Sequence, residues 1–187
     1  GPKGVSAFRD LLPLDQHKIL MGAWEEKGIL KKSQFHAKIL WERKMDEKEY
    51  EDALRIAIDY KLDELDEQVV RNTALKIYES CINAQKWEDA IAIAKKHLDA
   101  DRVTEAALKT FDDNMQAKNY YGALSTSKAF GLGREEEVAL KLYEQNMERR
   151  YYSGAAETAM KYNLGKDRIE DAALKHCEKL IAERKTA

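Results

Sequence analysis

From about residue 33 onward, apolar residues recur at helical spacing and in step along the chain. With one alanine per segment as anchor, Ala37, Ala74, Ala107, Ala139 and Ala173 lie 37, 33, 32 and 34 residues apart. Four residues past the anchor stand Trp41, Tyr78, Phe111, Tyr143 and Cys177. Eight past it stand Met45, Ile82, Met115, Met147 and Ile181. Tyr50, Trp87, Tyr120 and Tyr152 follow at thirteen. Ala53, Ala90, Ala123 and Ala155 follow at sixteen, and Ala57, Ala94, Ser127 and Ala159 at twenty. The anchor, +4 and +8 positions share one face of a first helix, and +16 and +20 share one face of a second. Small residues on the second helix allow close approach, and large ones on the first fill the gap. A lone hairpin of this kind cannot bury its apolar face, whereas stacked neighbours can.

The pattern predicts helices over 15–27, 33–45, 47–61, 64–84, 86–98, 102–117, 119–130, 135–149, 151–163 and 168–185. Residues 1–32 fall outside the repeat. They read as a cleaved-tag remnant (Gly1-Pro2), an N-terminal segment and a capping helix carrying Ile19, Leu20 and Trp24, with Leu30 after it. Residues 33–187 form the array, with units starting near 33, 70, 103, 135 and 169. Gly133 and Gly165 are placed to end helices in the left-handed conformation. Asp101 and Asp167 are expected as N-caps, and Asp167/Glu170 and Asp46/Glu49 have capping-box spacing.

Composition supports a packed helical fold: 44% of the residues are hydrophobic and 35% charged, and the only two prolines, Pro2 and Pro13, precede the array. The net charge of −2 argues against a nucleic-acid binder. No apolar run approaches the length that spans a bilayer. Cys81 and Cys177 lie far apart without a CxxC pair, which fits a reducing, cytoplasmic setting and no zinc site.

Lys48-Glu49-Tyr50-Glu51-Asp52-Ala53 and Gln85-Lys86-Trp87-Glu88-Asp89-Ala90 place an aromatic residue three before a small one. In this and in its period the chain resembles tetratricopeptide repeats over residues 34–185. The stretch Ala90–Leu98 is also similar to helices of clathrin-heavy-chain-type repeats. The chain departs from the tetratricopeptide pattern in the large residues at +4 and in lacking a closing proline. The resemblance implies an all-α, right-handed α-solenoid of about four to five hairpins that binds proteins or peptides, usually within assemblies.

In such a stack the acidic residues at +5, Glu42, Glu79, Asp112, Glu144 and Glu178, would line the concave face and attract a basic segment. The bland reading is a set of local helix pairs with Lys76, Lys109, Lys141 and Lys175, each three residues earlier. Arg102, Arg134 and Arg168, five residues before their anchors, form an alternative basic edge for phosphate contacts, much of it offset by Asp101, Glu135 and Asp167. Met45, Met115 and Met147 read as core, and Trp24 and Trp41 as packing of the cap on the first unit. Gly131-Leu132-Gly133 lacks the third glycine of a dinucleotide loop. His17, His36, His97 and His176 have no metal-ligand spacing, and the adjacent His176 and Cys177 point to different helix faces. No catalytic residue, metal or cofactor is expected. The expected role is a non-enzymatic scaffold for a protein or peptide partner, with self-association as a further option and no membrane contact; the alternative is a helical-repeat regulator or nucleic-acid-associated module that uses the arginine edge.

Overall fold

The computed structural model describes residues 30–185, together with Gln16 and Ile19. The expected capping helix and Trp24 lie outside the described residues, apart from Gln16 and Ile19, which are helical and exposed. Among the described residues the fold is all-helical: α1 (Leu30–Asp46), α2 (Tyr50–Asp59), α3 (Val69–Asn83), α4 (Trp87–His97), α5 (Ala100–Gln116), α6 (Tyr120–Phe130), α7 (Glu135–Glu148), α8 (Tyr152–Lys161) and α9 (Lys166–Lys185). One 3₁₀ turn, Leu62–Glu64, follows α2. The chain divides into two compact units, one ending at Val103 and one beginning at Thr104.

In the first unit α1 packs on α2, α2 on α3 and α3 on α4. Ala37, Leu40, Ala57, Leu62 and Val69 form one core cluster, with Trp41 packed against it. In the second unit, Phe111, Ala123, Leu124, Val138 and Leu142 form one cluster and Ala139, Tyr143, Ala155, Ala159, Leu164 and Ala172 another. Every +16 and +20 residue is buried to within 1%, so the small-residue face is where the second helices meet their neighbours. Met115 and Met147 pack against the core clusters, and Met45 is half-buried.

Each turn within a hairpin uses the same device. Lys48, Gln85, Lys118 and Arg150, all eleven residues past an anchor, adopt φ between 55° and 60°. At each, the following residue's N–H reaches back to the carbonyl five positions earlier, as Lys86 does to Cys81 at 2.9 Å and Tyr151 to Asn146 at 2.8 Å. This is the Schellman closure, here with a side chain where glycine is usual.

The structure corrects five local expectations. Asp101 is not an N-cap: α5 starts at Ala100, and the Asp99 carboxylate accepts the Arg102 N–H at 3.1 Å. Asp167 likewise lies inside the first turn of α9. Asp46 ends α1 instead of capping α2, and Glu49 at that cap makes no side-chain cap bond. The helix predicted over 64–84 begins only at Val69, because Lys61 turns left-handed, the buried Leu62 pins a 3₁₀ turn and the Asp66 carboxylate accepts the Gln68 N–H. In α9 Ala172 is buried, as His36, Thr73, Ala106 and Val138 are one before the earlier anchors, while Ala173, Cys177 and Ile181 are exposed, so the last helix keeps the repeat register but does not bury its anchor face.

Candidate binding grooves

The +4 side chains tie each first helix to the start of the next one. Trp41 donates its indole N–H to Thr73 Oγ1 at 2.8 Å. The Tyr78 hydroxyl donates to the Arg102 carbonyl at 3.1 Å, and the Tyr143 hydroxyl to the Arg168 carbonyl at 3.2 Å. Phe111 has no hydroxyl, and the Arg134 guanidinium lies over its ring instead, 4.4 Å from the centroid.

These contacts place the candidate basic edge. Arg102 pairs with Asp99 at 3.0 Å, and Asp99 also takes Arg71 at 2.7 Å. The Arg102 N–H, then the Arg71 guanidinium, hold the Asp99 carboxyl below its usual range. Arg134 forms a two-pronged bond to Glu137 at 2.9 and 3.0 Å, with Asp112 at 3.6 Å. Arg168 donates to the Leu164 carbonyl at 2.9 Å.

The +5 acids divide the same way. Glu79 pairs with Lys76 and Glu144 with Lys141, each at 3.0 Å and each half-exposed. Asp112 turns to Arg134, while Lys175 turns to Asp171 at 3.1 Å. Glu42 is half-buried on α1 and Glu178 exposed on α9. Pairs this exposed are screened by solvent and contribute little to stability, but they cancel much of the charge on their rungs.

Two concave features lie elsewhere, on the second helices. In the first unit a groove of about 570 Å³ runs between α2 and α4 over a floor from α3. Leu54, Ile58, Ile77 and Ile93 make it apolar, and Cys81 closes its base. Glu51, Lys86 and Asp89 stand where the two helices begin; Asp59, Lys96 and His97 stand where they end. Burial, then the field of Asp89 and Glu51, pushes the Cys81 thiol up. Burial, then Lys96, pushes the His97 imidazole down.

In the second unit a groove of about 320 Å³ runs between α6 and α8 over Leu142 of α7. Its walls occupy the same repeat positions. Leu124 matches Leu54, Leu142 matches Ile77, Lys161 matches Lys96 and Tyr162 matches His97. Sequence reasoning missed these residues because the anchors traced the face buried between helices. The signal was an apolar residue three past the anchor (Ile77, Leu142) and another seventeen past it (Leu54, Leu124).

Among the described residues no cluster of His, Cys, Asp or Glu is arranged to hold a metal ion, and no helix is long and apolar enough to cross a membrane. Comparison with protein-family models, curated proteins and solved structures finds no match to this chain.

Proposed function

We propose that the chain is a non-enzymatic interaction module, a tetratricopeptide-like right-handed α-solenoid, which seats an amphipathic helical segment of a partner protein between α2 and α4. The observation that carries this is the 570 Å³ groove, whose floor is aliphatic and whose two ends carry charges of both signs, Glu51, Lys86 and Asp89 at one and Asp59 and Lys96 at the other. A partner helix would lay its apolar stripe on Leu54, Ile58, Ile77 and Ile93, with its polar flanks on the mixed charges of the rim. Two unpaired cysteines fit a reducing, intracellular setting.

A basic segment on Glu42, Glu79, Asp112, Glu144 and Glu178 is the competing protein-binding reading. It is less favoured, because Lys76 and Lys141 already neutralise Glu79 and Glu144. The arginine edge is less favoured for phosphate contacts, since Arg102 and Arg134 are already paired with carboxylates.

The test compares affinity capture by wild type, by Ala92→Arg, and by the pair Glu79→Lys/Glu144→Lys. Ala92 is exposed on the groove wall, so the arginine fills the groove without entering the core. The expected result is a protein held by wild type and the acidic-position variant and lost by Ala92→Arg. Loss in the acidic-position variant alone transfers the site to the first helices; recovery of nucleic acid alone rejects protein binding.

A further inference from the structure

The groove of the second unit differs from its counterpart in what stands at its ends. Where the first groove has Ile58, this one has Lys128; where the first has His97, it has Tyr162. The Tyr162 ring is seated against both core clusters of the unit. Lys128 and Lys161 both lie over that ring, with Nζ 5.1 and 5.8 Å from its centroid. Neither makes an ion pair among the described residues, although exposed lysines elsewhere on them do, such as Lys76 with Glu79 and Lys141 with Glu144. With Glu157 the one carboxylate on the lining, Lys128 and Lys161 leave this groove with an excess of positive charge, and an added anion offsets it.

The opposite end of the groove is aromatic. Tyr121 is 64% exposed and Tyr151 54% exposed. Tyr151 caps the start of α8, and its ring lies where a Cβ on Gly154 would be, so the glycine makes room for it. Between the two ends lie Leu124 and Leu142, with Glu157 the one carboxylate on the lining.

We propose that the α6–α8 groove binds an acidic segment of a partner protein. A carboxylate side chain would meet Lys128 and Lys161 over Tyr162, and a neighbouring apolar side chain would rest on Leu124 and Leu142 between Tyr121 and Tyr151. Charge complementarity selects this occupant. The tyrosines offer stacking surfaces for nucleic acid too, but two lysines with Glu157 beside them do not make the continuous basic track a phosphate backbone requires. The site is independent of the α2–α4 groove and of the +5 acids.

The experiment is a selection of random peptides displayed on phage against the full chain, with recovered peptides resynthesised and measured by fluorescence anisotropy. A labelled oligouridylate is measured in parallel. Three variants accompany wild type: Lys128→Glu/Lys161→Glu, Gly154→Ala and Ala92→Arg. The lysines are exposed, so the double variant keeps its fold, and circular dichroism verifies this. The expected peptides place Asp or Glu beside an aliphatic or aromatic residue. Their affinity falls at least about tenfold in the lysine variant, falls less when Gly154→Ala displaces the Tyr151 ring, and is unchanged in Ala92→Arg. The proposal is overturned if no acidic peptides are enriched, if the lysine variant binds them as wild type does, or if the oligouridylate binds and the peptides do not.

Discussion

At the scale of single residues, the repeat is written in backbone conformation as well as in side chains. Four hairpin turns pass through the left-handed region at Lys48, Gln85, Lys118 and Arg150, none of them glycine. An L-residue pays roughly 1–2 kcal/mol there, and the turn persists because the packed helices on either side dictate it. Lys118→Gly removes the steric penalty and adds back some chain entropy. It should stabilise the protein by about 0.5 kcal/mol, read from the midpoint of urea unfolding. An unchanged or lower midpoint would mean the turn carries no strain. Phe111 shows the reverse, a position where side-chain chemistry changes and geometry holds. Its neighbours in register use a hydroxyl to reach the next helix, and Phe111 supplies a ring face for Arg134.

At the scale of elements, the hairpins, their order and their small-residue faces were readable in the sequence because burial repeats at fixed spacing. The caps were less readable. Asp99 and Asp101 are both acids next to a helix start, and only the backbone path decides which one faces the free N–H groups. That path brings Asp99 to the Arg102 N–H and the Arg71 guanidinium. Its depressed carboxyl pKa stabilises the folded state above the ordinary carboxylate range, and that contribution disappears as pH falls through the lowered value. Asp99→Asn should therefore lower the thermal midpoint at neutral pH and leave it nearly unchanged in strong acid. A loss of equal size at pH 7 and pH 2 would exclude the ionised carboxylate as the cause. The start of α3 was missed for a related reason: Leu65, four before Val69, has helical apolar spacing, but it is exposed and closes the 3₁₀ turn pinned by the buried Leu62.

At the scale of the whole molecule, two compact units each carry their own core. Where stability is a sum of repeat and neighbour contributions, a core deletion acts locally first. Phe111 is fully buried in the second unit, and Phe111→Ala should cost about 3–5 kcal/mol. Hydrogen exchange should quicken at the α7 amides of Ala139 and Leu142 before it quickens at Ala53 and Ala57 of α2. Equal quickening in both units would mean that they open as one. The grooves lay beyond reading along the sequence for a reason of scale: each is lined by three helices, so its residues become neighbours only after two hairpins have packed. Lys128 and Lys161 look like ordinary solvated helix charges until Tyr162 is placed beneath both of them.

The two thiols stand in unlike surroundings, Cys177 in solvent on α9 and Cys81 at the base of the α2–α4 groove. With Cys177 replaced by serine, the chain would hold a single thiol, at the base of the proposed binding groove. The speed at which a small alkylating dye marks Cys81 then becomes a gauge of occupancy: whatever settles in the groove shields the sulfur, whether or not anyone yet knows what it is.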